Sequence, residues 1–180
     1  MNPELSRKIL DDFKKLPAGE KINECIQCGT CSASCPVAAA MENTPRKIIA
    51  MLRADKIDEV LQSDTVWLCA SCYSCTVRCP AGIKFTDFMY QLKRMGVKYN
   101  IKPKNKSGLK LAQSFCETVK RNGRDFEPEL LIRYNLRTNI FNFLKIIPLG
   151  LNLFFKNRMP VFPSKVKGVK NINRALNKVK

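Results

Sequence analysis

The 180-residue sequence predicts a mainly α protein in two parts, a cysteine-rich helical domain over residues 1–100 and a basic, partly helical extension over 101–180. Three observations predict it. Eight of the nine cysteines fall into two copies of one spacing. No stretch before Lys102 keeps the apolar–polar alternation of a strand, whereas helical periodicity recurs. The charge is lopsided: through Ile83 ten acidic residues balance ten basic ones, yet beyond Leu130 there are eleven Lys or Arg and no Asp or Glu.

The two copies run Cys25-Ile26-Gln27-Cys28-Gly29-Thr30-Cys31-Ser32-Ala33-Ser34-Cys35-Pro36 and Cys69-Ala70-Ser71-Cys72-Tyr73-Ser74-Cys75-Thr76-Val77-Arg78-Cys79-Pro80. Each reads C-x2-C-x2-C-x3-C-P, in which three soft thiolates surround one [4Fe-4S] cube and the fourth reaches the neighbouring one. This spacing predicts two [4Fe-4S] clusters. Cys25, Cys28, Cys31 and Cys79 are expected on one, and Cys69, Cys72, Cys75 and Cys35 on the other. The proline after each fourth cysteine removes an N–H and pushes that cysteine towards an extended conformation, so the chain leaves the cluster. Gly29 and the small residues Ser32, Ala33, Ser34, Ala70, Ser71 and Ser74 let backbone N–H groups approach the sulfurs and tune the potential.

Other uses of cysteine fit less well. Zinc sites pair two C-x2-C knuckles and do not crowd four cysteines into eleven residues. A disulfide framework belongs to secreted scaffolds, and no signal peptide is visible before the first motif. With no histidine in the chain, a Rieske centre and any histidine-ligated zinc, haem or iron are excluded. A reducing, cytoplasmic setting is expected.

The helices follow in order. Residues 3–16 read as an amphipathic helix with Leu5, Ile9, Leu10 and Phe13 on one face, ended by Leu16-Pro17-Ala18-Gly19. Thr44-Pro45 supplies an N-cap and first position for a helix through Ile48, Ile49 and Leu52. A short helix at 57–61 is broken by Ser63-Asp64, and Phe85 to Met95 forms another, closed by Gly96. In the extension, 107–122 is a helix stopped by Gly123, with Cys116 expected as a packed thiol near its buried side, and 128–139 is a further helix. The apolar run 140–155 is interrupted by Asn142, Lys145, Pro148, Gly150 and Asn152, so it is read as a buried intersubunit interface and not a transmembrane span. The basic tail 165–174 is assigned to docking on an acidic protein partner, because no nucleic-acid module accompanies the charge.

There is no dinucleotide glycine fingerprint, histidine base or nucleophile elbow, so no catalytic residue is assigned and the chemistry is expected on another polypeptide. The doubled motif, the helical insert, the N-terminal helix and the basic extension together resemble the C-type subunits of the soluble heterodisulfide reductases of methanogenic archaea, a family of two-cluster helical ferredoxins. The cysteine motifs alone are shared with iron-sulfur subunits of succinate dehydrogenase, glycolate oxidase and anaerobic glycerol-3-phosphate dehydrogenase. The last two carry paired CCG cysteine domains that this chain lacks. The resemblance implies a non-catalytic electron relay within heterodisulfide reductase. Electrons would pass from the A-type subunit, which carries flavin and iron-sulfur clusters and is fed by a hydrogenase or formate dehydrogenase, to the B-type subunit, whose noncubane iron-sulfur clusters reduce the coenzyme M–coenzyme B heterodisulfide. The spacing is equally compatible with either cube facing the flavin partner. Two further readings are an iron-sulfur subunit of another flavin-linked anaerobic dehydrogenase and a zinc-stabilised binding module.

Overall fold

In the computed structural model, which describes residues 2–16, 19–156, 158, 163 and 165–178, helices and turns account for the regular structure, and no strand occurs among the described residues. The expected helical character is therefore what the chain adopts. Its contacts divide it into two compact units, Met1–Lys106 and Ser107–Lys180.

The first unit begins with α1, Pro3–Lys14. Asn2 caps it by accepting from the Glu4 N–H, and Pro3 stands at its first position, where no N–H is needed. It ends two residues earlier than the periodicity suggests, and Pro17 and Ala18 lie outside the described residues. The first motif contains the one-turn helix α2, Thr30–Ala33; α3, Pro45–Arg53, and α4, Ile57–Gln62, form the insert. Thr44 holds the extended N-cap conformation without a side-chain cap bond. The capping acceptor is instead Ser32 Oγ, which takes the Arg46 N–H at 2.9 Å and so pins α3 to the first motif.

Next come α5, Thr65–Leu68, which periodicity does not announce in so short a piece, and α6, Ser74–Val77, inside the second motif. The last helix of this unit, α7, spans Phe85–Lys98. It does not close at Gly96, which is buried inside its last turn. A Cβ there would make only ordinary contact, 3.8 Å from the Trp67 ring, and the left-handed residue is Asn100, two beyond the helix end. The core joins Ile9 and Phe13 of α1, Ile48 and Leu52 of α3, Ile57 and Val60 of α4, and Phe88 and Leu92 of α7, all fully buried. Phe13 and Phe88 meet edge to face, with centroids 5.7 Å apart.

The second unit contains α8, Ser107–Asn122; α9, Glu127–Thr138; α10, Ile140–Phe155; and α11, Val169–Lys178. Gly123 takes φ +78° and stops α8. The expectation for Cys116 is corrected: its side chain is exposed. The face of α8 that is buried is the polar stripe Ser114, Thr118 and Asn122 at i, i+4 and i+8, and Cys116 falls on the other side. Polar bonds replace apolar packing along that stripe. Asn122 Nδ2 donates to Glu129 at 2.8 Å, while Arg133 and Arg137 pair with Glu117. Part of the basic tail is helical, as α11, whose Asn173 Nδ2 donates to the Lys120 carbonyl at 2.9 Å.

Candidate iron-sulfur centre

Two hollows open in the first unit, and the motif cysteines line them. One, about 400 Å³ including its mouth, is walled by Cys25, Cys28, Cys31, Cys75 and Cys79. The other, about 330 Å³, is walled by Cys35, Cys69, Cys72 and Cys75. Each thus collects thiols from both motifs, and Cys75 stands between them. Cys116, in the second unit, lines neither.

The loops bend alike. Gln27 and Ser71, equivalent by position, have φ +57° and +55°; Gly29 and Tyr73, also equivalent, have φ +84° and +62°. These left-handed turns fold the chain back so that successive cysteines face one hollow, and only Gly29 adopts such a turn without strain. Next in each motif a hydroxyl approaches the second cysteine: Thr30 Oγ1 lies 3.4 Å from Cys28 Sγ, and Ser74 Oγ lies 3.6 Å from Cys72 Sγ. Hydrogen bonds from Thr30 draw the exposed Cys28 thiol below its ordinary pKa, and those from the Ser74 backbone and hydroxyl do the same for Cys72. Burial pushes Cys31 and Cys75 the other way. A cluster removes that second difficulty, because iron binds the thiolate and offsets the cost of burying its charge.

The donor set fits a sulfide-bridged iron cluster. Among thiol, carboxylate and imidazole side chains, the described residues lining either hollow offer cysteines alone, the soft donors that sulfide-bridged iron takes. N–H donors also turn towards sulfur, since the Gln27 backbone N–H and its Nε2 both reach Cys25 Sγ at 3.4 Å.

The correspondence extends past the cysteines, which sequence reasoning missed. Ser32 accepts from the N–H of Arg46 near the start of α3, and Thr76, its equivalent, accepts from the N–H of Thr86 near the start of α7 at 3.1 Å. Seven residues on, Arg53 donates to the Cys25 carbonyl at 3.0 Å and Lys93 to the Cys69 carbonyl at 3.3 Å. The signal was present: Ile48, Ile49, Leu52 and Arg53 match Phe88, Met89, Leu92 and Lys93 in register.

A helical domain with two such hollows defines a class, the proteins with two cubane clusters, and residues 21–83 match the 4Fe-4S dicluster domain family. The cofactors are accordingly two [4Fe-4S] clusters. The chain is 38% identical over 101 residues to the iron-sulfur C subunit of the CoB–CoM heterodisulfide reductase of Methanopyrus kandleri, covering 54% of this chain and 53% of that one. It is 41% identical over 94 residues to the C subunit of the ferredoxin:CoB-CoM heterodisulfide reductase of Methanosarcina mazei, covering 52% and 56%. Against the C subunit of the H2:CoB-CoM heterodisulfide,ferredoxin reductase of Methanothermobacter marburgensis the identity is 37% over 87 residues, covering 48% and 44%. The chain spans about half the length of the curated relatives it matches. Over about half of its length the chain is thus similar to the C-type iron-sulfur subunits of heterodisulfide reductases.

Proposed function

We propose that this chain is the electron-relay subunit of a CoB-CoM heterodisulfide reductase, taking electrons from the flavin-containing, iron-sulfur A-type partner and delivering them to the B-type partner that reduces the heterodisulfide. The observation that carries the relay is the shared wall: Cys75 and Phe85 line both hollows, so two clusters held there stand side by side. The thiols lining each hollow support the expected ligand sets. The first hollow has Cys25, Cys28, Cys31 and Cys79 without Cys75, and the second reaches four, with Cys35, Cys69 and Cys72, only by including it. Ligation is then crossed between the motifs.

Each cluster supplies reversible one-electron chemistry, and the protein supplies binding, orientation and electrostatics. The thiolates fix the two positions, and Ile49, Ile83 and Phe85 give the first hollow an apolar lining that restricts water. The Gln27 N–H groups and the Thr86 hydroxyl, 3.5 Å from Cys75 Sγ, hydrogen-bond to sulfur. The second unit is the docking element. Leu144, Leu149, Leu151 and Phe155 on α10 are more than half exposed, and a partner polypeptide would cover them. Among the described residues no helix is long and apolar enough to cross a membrane. The complex is assigned to the cytoplasm, fed there by a hydrogenase or formate dehydrogenase.

Anaerobically purified protein is expected to hold about eight irons and eight acid-labile sulfides per chain. Stoichiometric zinc without sulfide would instead make it a zinc-stabilised module. In the native complex a heterodisulfide-reducing chain should co-purify. Its absence from an otherwise intact assembly would transfer the chain to another flavin-linked dehydrogenase.

A further inference from the structure

The first unit contains its own control. From the first motif into α3 and from the second into α7, equivalent residues make equivalent contacts. The paired left-handed turns, the hydroxyls on Cys28 and Cys72, and the cations on the Cys25 and Cys69 carbonyls act alike on the two hollows and cancel in any comparison. Among the charged side chains that line the hollows, the halves part at one pair. Arg46 lines the first hollow, where its Cδ lies 3.7 Å from the position a Cβ on Gly29 would take. Thr86, its equivalent, lines the second hollow with a neutral hydroxyl. The next pair, Lys47 and Asp87, differs in the same sense.

Reduction adds one negative charge to a cluster. A guanidinium beside it stabilises the reduced form, whereas a hydroxyl acts only as a dipole and a nearby carboxylate opposes reduction. Among the described residues no carboxylate pairs with Arg46, so its charge is not spent elsewhere. It is exposed, so water weakens its field at the hollow it lines without abolishing it.

We propose that Arg46 raises the potential of the cluster in the Cys25–Cys28–Cys31–Cys79 hollow above that of its neighbour, so that an electron entering the chain settles on the first cluster. This rests on the two-cluster reading and gives the relay a direction, downhill from the second motif's cluster to the first's. The test is an EPR-monitored redox titration of the full chain, purified anaerobically, as wild type, Arg46→Thr and Arg46→Lys. Signals are assigned from Cys28→Ser and Cys72→Ser, one in each hollow. The higher potential is expected in the first hollow. Arg46→Thr should lower it by about threefold to tenfold in the reduction equilibrium, ~28 to 59 mV for one electron, with the other cluster unmoved and Arg46→Lys close to wild type. A purely structural role would leave both potentials in place. The proposal is overturned if the first hollow has the lower potential, if Arg46→Thr shifts both clusters or neither, or if Lys fails to rescue. Iron and sulfide of about eight each in all three proteins separates those outcomes from failure of the two-cluster reading, which would overturn both.

Discussion

Replacing Cys79 with alanine distinguishes crossed ligation from self-contained ligation. Cys79 lies on the wall of the hollow that holds Cys25, Cys28 and Cys31, although it belongs to the other motif. With crossed ligands, the variant removes one of four thiolates from the first cluster and none from the second. Iron should fall from about eight towards about four per chain, with the EPR signal lost being the one that Cys25→Ala also removes. The link has a mechanical side as well. A cluster bound by both Cys31 and Cys79 closes a loop of about 48 residues, and chain entropy assigns about 4 kcal/mol to a closure of that size. Cys35 still ties an overlapping loop to the second hollow, so the loss of closure from the single variant stays below that figure. Anaerobic guanidinium denaturation, followed by cluster absorbance and circular dichroism, measures it. If Cys79→Ala depletes the cluster that Cys72→Ala depletes and spares that of Cys25→Ala, ligation is not crossed.

Gly29→Ala tests the loop geometry. Its Cβ would meet only Arg46 Cδ at 3.7 Å, an ordinary contact, so the penalty is the left-handed backbone alone, about 1–2 kcal/mol. Tyr73 already carries a side chain at the equivalent φ, so both clusters should be retained, and loss of iron from the first hollow would show that the glycine is needed for room. Tyr99→Phe tests a contact remote from the clusters. The Tyr99 hydroxyl donates to Asp12 and, with help from Lys98, holds that carboxyl below the ordinary aspartate range. A depressed folded pKa gives stability that is present above the unfolded value and lost as pH falls through the folded one. The variant should therefore be the less stable protein at neutral pH, the gap should close in acid, and carbon NMR should show the Asp12 titration moving up. An unmoved titration would mean the hydroxyl contributes nothing.

Much of the first unit is legible because its signals are local. The cysteine spacing, the Pro45 start and the apolar registers of α1, α3 and α7 each act within a few residues. Gly96 misleads because a glycine marks a helix end only where the backbone turns left-handed, and here that turn falls at Asn100. Cys116 misleads for a related reason. Leu111 and Phe115 suggest an apolar buried face, but the second unit buries Ser114, Thr118 and Asn122 and satisfies part of that stripe with a carboxylate and arginines, leaving Leu111 and Phe115 exposed. Tyr73 was invisible as a strained residue, since a left-handed tyrosine has no signature except its alignment with Gly29.

That alignment also bears on why the clusters and the core form together. Helices α3 and α7 supply Ile48, Leu52, Phe88 and Leu92 to the core with one face, and they place Arg46 and Thr86 on the hollows from their first turns. Ile49, Ile83, Phe85 and Cys75 belong to the core cluster and line hollows as well. If ligation is crossed as proposed, neither half of the repeat completes a cluster site alone, and the helices of both halves share one buried core. Iron capture and collapse of the apolar core therefore stabilise the same juxtaposition of motifs, so metal binding free energy is folding free energy for this unit. A pair of independently folded single-cluster halves would lack this coupling, and crossed ligation would give the helical insert its place between the motifs: α4 packs on α1, α3 and α7, and so spans the distance that exchanged ligands would close.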